Sequence, residues 1–435
     1  MTGVEIGAVA IALMLVAVYF GMHIGMALMA VSFVGIWLVK SSELAARMLS
    51  AAASDSIREH LFGVVPLFVL MGILVSVSQL GRDTFDVAQR VFARVRGGLG
   101  IATVAANAVF AAITGISIAS ASVFTKVAVP EMIRHGYTGR FAVGTVAGSS
   151  VLGMLIPPSL LFIVYGVLAE ESVGRMFIAG IVPGLVLAIA FSLMIVAMAV
   201  FTPGFVGRAE VVAVGPEPLG RVLAKGGPVL VLVALVLGGL YGGIFTPTEA
   251  GAVGALGALV IAAVRRRLSG RTLWDTVLET GHVSVSVLFL IIAASLYSRM
   301  LALTGIPATI GASIIDLGLG PTAFIVAYIA VVLLLGCIID SVSIMLIVLP
   351  IVLPIAREFQ LDIVWFGVVT VIAVEIGLLT PPFGLSAYTV KATLTRSDIG
   401  IKDIFIGTAP FVLCMLAVLA LIVAFPSLAT WLAYL

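Results

Sequence analysis

Two adjacent prolines occur twice in this 435-residue chain, at Pro157 and Pro158 and again at Pro381 and Pro382, each time inside a long apolar stretch. Proline lacks an N–H and its ring clashes with the carbonyl four residues back, so such a pair opens a helix locally. The first pair would free the carbonyls of Gly153 and Met154, the second those of Gly377 and Leu378. In an apolar setting each freed carbonyl must be satisfied inside the protein or by a bound ion. A hard cation such as Na⁺ takes oxygen ligands, and other segments offer more of them: Thr114, Gly115, Ser117 and Ser120 in one, Asp340, Ser341 and Ser343 in another. Ser149 and Ser150 precede the first pair; Glu375 and Thr380 precede the second. Two sodium sites are therefore expected, one from Thr114, Gly115, Ser117, Ser149, Gly153 and Pro157, the other from Asp340, Ser341, Glu375, Gly377, Thr380 and Pro381. Against this stand simpler readings. Hydroxyls in apolar helices often bond only to the preceding turn, prolines can be plain kinks, and Asp340 or Glu375 could be a structural counter-charge.

The surroundings of these residues are set by composition. Hydrophobic residues make up 62% of the chain and charged ones only 10%, against about 25% charged in a soluble domain, and the mean hydropathy is +1.29. Apolar runs near the ~20 residues needed to cross hydrocarbon recur throughout, so an all-α polytopic membrane protein is expected. Alternating ten-residue strands of a barrel are not the pattern. The start, MTGVEIG, has no positive n-region, so the first span is expected to be retained. Cys337 and Cys414 lie in apolar runs and read as small buried hydrophobes. His23, His60, His135 and His282 have no metal-ligand spacing, so sodium is the only metal expected and no transition metal. A net charge of +2 argues against nucleic acid as a partner, and no glycine-rich phosphate loop is present.

Full spans are expected at 4–20, 22–39, 61–80, 141–169, 176–201, 227–245, 248–264, 282–303, 363–390 and 404–425. Segments 98–130 and 322–354 are too long for one span and carry small or polar residues at their centres. They read as re-entrant helical hairpins, with a pair of short spans as the alternative. With two hairpins and the N-terminus outside, 17 of the 23 basic residues fall in cytoplasmic loops, including Arg82 in the loop after 61–80, Arg208, Arg265 and Lys391. Lys40, Arg47, Arg58, Arg175, Arg299 and Arg357 remain at the outer face. That bias favours this arrangement. Stretches 41–60 and 265–281 are polar and too short on apolar residues to span, and read as interfacial arms or ordinary connecting helices. Glu249 reads as a cap for the helix that follows it at least as well as an ion-handling group.

Sliding the chain by 224 positions lays Gly81 on Gly305, Ser117 on Ser341, Pro130 on Pro354, Gly153 on Gly377, and one proline pair on the other. Five spans separate the matched elements, so the second copy is expected to be inverted. Inverted halves with broken helices near the midplane are a device of secondary transporters. A channel, an intramembrane enzyme and a purely structural subunit are the rival classes.

Several stretches give the chain a family likeness: GMHIGMALM after the first span, PLFVLMG at 66–72, AAITGIS at 111–117, GMLIPPS at 153–159, GGIFTPTEAGAVGA at 242–255 and EIGLLTPPFG at 375–384. With these the chain resembles, over nearly its whole length, the large membrane subunit of TRAP (tripartite ATP-independent periplasmic) transporters, the DctM-like family. The resemblance implies no enzyme but an elevator-type, Na⁺-coupled importer in the bacterial inner membrane. It takes up an organic acid delivered by a periplasmic solute-binding protein and works with a small four-helix membrane subunit in a lipid bilayer. A carrier that works without a binding protein is the nearest alternative. The resemblance further implies a scaffold over 1–97 and 202–321, and a transport domain in two halves, 98–201 and 322–425, followed by a tail, 426–435. Ser120, Ser150, Pro158, Ser343 and Pro382 would face the substrate between the two ion sites. Two positions depart from the family pattern: Ile116, where a small hydroxyl residue is common, and Asp340, where glutamate is common.

Overall fold

The structure, a computed structural model, describes all residues except 59–62, 208–217, 395 and 397. The end of the first arm with His60, the start of the span expected at 61–80, and Arg208 therefore lie outside the described residues. Among the described residues every element is a helix, and the only β-type contact is an isolated bridge between Tyr137 and Gly207. The chain begins with α1 (Gly3–Tyr19), α2 (Ile24–Val39), α3 (Ser42–Arg58), α4 (Val64–Val77) and α5 (Leu80–Phe92). It continues through α6 (Gly98–Thr114), α7 (Ser117–Arg134), α8 (Gly139–Ser150), α9 (Leu152–Leu155), α10 (Leu160–Ala169) and α11 (Val173–Phe201). The middle of the chain forms α12 (Pro203–Val206), α13 (Leu219–Tyr241), α14 (Pro247–Val264), α15 (Gly270–Thr304) and α16 (Ile306–Asp316). Last come α17 (Pro321–Gly336), α18 (Ser341–Glu358), α19 (Ile363–Gly377), α20 (Leu385–Thr393), α21 (Ile401–Ala424) and α22 (Ser427–Thr430).

Six of these helices are long and apolar enough to cross a membrane, and eight spans result if each of two bent pairs counts as one. Seven of these eight fall on the ten full crossings expected from sequence and the other is α18, in the second interrupted segment; the three expected crossings left out rest on α1, α2 and α19, which have only 17, 16 and 15 residues. A helix of 16 residues is about 24 Å long, short of the roughly 30 Å of hydrocarbon.

Both long interrupted segments turn back on themselves. Phe110 and Phe124 stand with ring centroids 5.6 Å apart, and the Thr103 hydroxyl lies 3.7 Å from the Met132 sulfur. A continuous helix would separate the second pair by about 43 Å, so α6 and α7 are antiparallel. Likewise, Phe324 of α17 and Phe359, the residue just after α18, are 5.5 Å apart. A helical hairpin is therefore present in each segment.

Two expectations about the segments beside the hairpins are corrected. The chain does not become a loop after the span expected at 61–80: it bends by 66° into α5. The cause is an amphipathic stripe, since Leu80, Thr84, Phe85 and Ala88 are all buried at the spacing of one helix face. In the second half, the arm expected at 265–281 and the span at 282–303 are one helix, α15, of 35 residues. Pro66 sits in the first turn of α4, where proline starts a helix; 224 positions later stands Leu290, which lets α15 run on.

Side-chain bonds tie the helices around the breaks together. Tyr165 of α10 donates to the Ile363 carbonyl at 2.6 Å, and the Trp365 indole donates to the Ile422 carbonyl of α21 at 2.9 Å. α8 crosses α21 where Gly144 meets Gly407: a Cβ on Gly144 would lie 2.1 Å from the Gly407 carbonyl oxygen, so no larger residue fits. The tail expected at 426–435 carries helical turns of its own. α22 and a 3-10 turn at Leu432–Tyr434 follow α21, and the Arg175 guanidinium stands 5.5 Å over the Tyr434 ring.

Candidate ion and substrate site

The first hairpin turns at Gly115, whose φ of 64° is left-handed and therefore suits glycine. The same residue lies hard against the first break: a Cβ there would be 2.5 Å from the Pro158 carbonyl oxygen. Its own carbonyl accepts from the Leu160 N–H at 3.2 Å. Gly153 makes the reciprocal approach, with Ser117 Cα 3.0 Å and the Ile116 carbonyl oxygen 3.1 Å from where its Cβ would stand. Thus the tip 115–117 is seated on the broken helix 153–160, and both proline pairs have a cis bond within them.

The second tip is built alike. α17 meets α19 where Gly336 and Gly377 touch, each Cα lying 2.6 Å from the Cβ the other would carry. The Phe383 N–H donates to the Cys337 carbonyl at 3.2 Å, and the Cys337 sulfur is 3.1 Å from the Thr380 hydroxyl. Cys337 and Cys414 are half-buried rather than buried. Cys337 stands at the hairpin turn, which is only partly covered.

Most of the carbonyls freed by the prolines are taken up again. The Ser159 hydroxyl donates to Met154, the Thr380 hydroxyl donates to Gly377 at 2.7 Å, and the Ser386 N–H donates to Leu378 at 3.2 Å. Among the described residues the Gly153 carbonyl alone of the four accepts no hydrogen bond.

Several expected ligands have local partners. Thr114 donates to the Phe110 carbonyl at 3.0 Å, Ser150 to Ala147 at 2.8 Å, and Ser149 to Thr145 at 2.6 Å. Asp340 is the N-cap of α18, its carboxylate accepting from the Ser343 N–H at 3.1 Å. Ser341 and Ser343 are buried beside it. Pro157 and Pro158 are buried, whereas Pro381 and Pro382 are exposed. Glu249 closes a capping box with Thr246 at the start of α14.

Glu375 was grouped from sequence with Asp340. The structure brings it to the first hairpin as well: Ser117 Oγ approaches Glu375 Oε1 at 3.5 Å, across 258 residues of sequence. The carboxylate is 1% exposed, and its Oε2 has no partner. Ser120 Oγ and Ser386 Oγ are likewise buried and unpartnered. Buried polar atoms without partners are rare and call for a ligand, an ion or water. The two expected sites therefore touch through Ser117 and Glu375.

Asn107 was not singled out from sequence. It is fully buried in α6, donates from Nδ2 to Ser149 Oγ at 2.6 Å, and leaves Oδ1 unpartnered. The signal was present as a lone amide in an otherwise apolar helix, a costly placement that marks a polar contact between helices. The donor set around the tips is hydroxyl, carboxylate, amide and carbonyl oxygen, which fits a hard cation such as Na⁺.

Comparisons with known proteins bear on what this arrangement serves. Residues 11–428 match the family model described as the tripartite ATP-independent periplasmic transporter, DctM component. The C4-dicarboxylate TRAP transporter large permease protein DctM of Pseudomonas aeruginosa is 33% identical over 386 residues, 88% of each chain. An ectoine/5-hydroxyectoine TRAP transporter large permease protein of Ruegeria pomeroyi is 28% identical over 96% of each chain. Among solved structures, the YdaH transporter of Alcanivorax borkumensis is similar in fold, with a TM-score of 0.60 at 13% identity, covering 90% of this chain and 89% of that one.

Proposed function

Because the chain belongs to the DctM family of tripartite ATP-independent periplasmic transporter components, we propose that it is the large permease subunit of a Na⁺-coupled uptake system for an organic acid. In this reading the two halves are an inverted repeat, and the hairpins with their broken helices form a transport domain that moves against the scaffold of remaining helices. A small four-helix membrane subunit lies against the scaffold, and a periplasmic solute-binding protein delivers the acid. The protein sits in the inner membrane with its N-terminus outside.

The observation that carries the reading is the meeting of Ser117 and Glu375. It joins the first hairpin to the second broken helix through Glu375 Oε1, and leaves the other oxygen of the buried carboxylate, Oε2, without a partner. Sodium bound there and at the Gly153 carbonyl would tie each tip to its break and turn hydroxyls toward a substrate carboxylate. An isolated buried carboxylate is costly, so the cation and the closed tips stabilise one another. That mutual dependence is what couples the ion to the acid.

Ion-pair positions support the orientation. Asp83 pairs with Arg265 and Asp86 with Lys225 at 2.8 Å, gathering the ends of α5, α13 and α14 at the arginine-rich face, which by the positive-inside rule is cytoplasmic. The test is uptake into vesicles containing the chain and its partners. It is expected to stop when K⁺ replaces Na⁺. Uptake of the acid that persists in K⁺ would remove the coupling scheme.

A further inference from the structure

Away from the hairpin tips, a cavity of about 600 Å³ opens between α3, α10, α15 and α18. It lies at the end of the molecule opposite the arginine-rich face. α15 has Arg271 near its start and Arg299, which lines the cavity, near its far end, in a helix about 52 Å long. On the proposed topology this is the outer face, where a delivered substrate first meets the permease. Its walls run down α15 to Ile291 and down α18 to Pro350, about halfway along α18 from Glu358 toward the second tip.

The charges lining it are of both signs. Arg299 is neutralised by Asp55 at 2.8 Å, and Glu171 pairs with Arg175 at 3.4 Å. Two charges are left over. Arg357, in the last turn of α18, donates only to the Ala169 carbonyl, at 2.7 Å. The next residue, Glu170, ends α10 in the left-handed conformation, with φ 55°. Among the described residues neither Arg357 nor Glu170 has an opposite charge within ion-pair distance. Since Arg357 holds the carbonyl of the residue before Glu170, the two uncompensated charges stand within a few bond lengths of one backbone peptide.

We infer that this cavity is an outer subsite for a small zwitterion, a molecule whose carboxylate is taken by Arg357 and whose cationic nitrogen is taken by Glu170. A guanidinium binds a carboxylate through paired N–H donors, and a carboxylate across from it rejects a second anionic group. A dicarboxylate would place its second charge toward Glu170 with no free cation to receive it. The volume exceeds that of a small organic acid, leaving room for such a molecule to enter beside the scaffold. This inference rests on the transport reading for its orientation, but its chemistry stands on the cavity alone.

The test uses the full chain in nanodiscs, in potassium chloride without Na⁺ so that the sodium-dependent site stays unloaded. Ser298 lines the cavity and is exposed. Alkylation of an S298C variant by a small maleimide is followed by peptide mass mapping, which counts the native Cys337 and Cys414 separately. The probes are ectoine, a zwitterionic carboxylate, and succinate, a dicarboxylate. At a concentration about twice its Kd, ectoine is expected to slow alkylation about threefold, and succinate is not. R357Q and E170Q should each abolish the protection, while R357K and E170D, which keep the charges, should restore most of it. Equal or better protection by succinate, protection by neither probe, or protection indifferent to R357Q and E170Q would each overturn the subsite. Sodium-driven uptake, measured separately on the unaltered chain, reports on the transport reading. Protection without such uptake would uphold the subsite and overturn the coupling scheme; uptake without protection would do the reverse.

Discussion

The first break lies wholly inside the protein, whereas the second opens to its surface. Pro157, Pro158, Ser159 and Leu160 are buried; Pro381, Pro382 and Phe383 are exposed. The sequence device is the same in both, a small-residue hairpin tip set on a double proline. The buried break is closed in part, through Ser159 and the Gly115 carbonyl, and among the described residues leaves the Gly153 carbonyl without a hydrogen bond. In the exposed break Thr380 and Ser386 close the ladder locally, and the prolines face outward. In the proposed cycle, ions and substrate therefore reach the shared site past the second break, while the first acts as its fixed wall.

Glu375 tests this difference most strongly, because it belongs to the exposed side by sequence and to the buried side by contact. Hydrogen bonds to charged groups contribute about 1.5–3 kcal/mol, so E375Q should reduce sodium-dependent uptake by about tenfold or more, and S117A by less. Uptake by E375Q at the unaltered rate would mean that the buried carboxylate is only a structural group.

The tips themselves separate next. In G115A the left-handed conformation alone costs about 1–2 kcal/mol, and the new Cβ meets backbone, the Pro158 carbonyl oxygen at 2.5 Å. Gly384 is also left-handed, with φ 50°, but its Cβ would meet first the movable ring edge of Phe405, at 2.7 Å. Thermal unfolding should therefore drop markedly more in G115A than in G384A. Equal losses would show that burial of the first break adds nothing to its rigidity.

How much of this was legible in the sequence depends on the element. The broken helices and hairpins could be read because proline pairs and polar tips stand out against apolar runs, and the 224-residue offset exposed their order. α5 was missed because its buried stripe of Leu80, Thr84, Phe85 and Ala88 is interrupted by Arg82, Asp83 and Asp86, which reads as a loop. The fusion of arm and span into α15 was missed because polarity shifts near residue 282 while the backbone does not break. At the site, residue types were legible and partnerships were not. No spacing rule links Ser117 to Glu375, since their contact depends on how the two halves cross.

Asp340 offers a smaller and cleaner separation of roles at the second tip. As the cap of α18, its loss in D340A should cost about 1 kcal/mol, while D340N should be nearly neutral because asparagine caps equally well. If the carboxylate also serves sodium, D340N should lose part of the sodium-dependent rise in unfolding temperature while keeping its stability in K⁺. Full retention of that rise would leave Asp340 with the cap alone.

The least effect is expected where the halves meet at the surface. Arg140, in the first turn of α8, pairs with Asp403, in the first turn of α21, at 2.6 Å. The arginine side chain is 54% exposed, and pairs of that kind contribute about 0.2–1 kcal/mol. The same helices already cross tightly at Gly144 and Gly407, where backbone meets backbone. In a double-mutant cycle of R140Q and D403N, followed by thermal unfolding, the coupling should therefore fall below about 1 kcal/mol and shrink further in high salt. A substantially larger, salt-insensitive coupling would mean that the ion pair, and not the glycine crossing, holds the first broken helix to the second half.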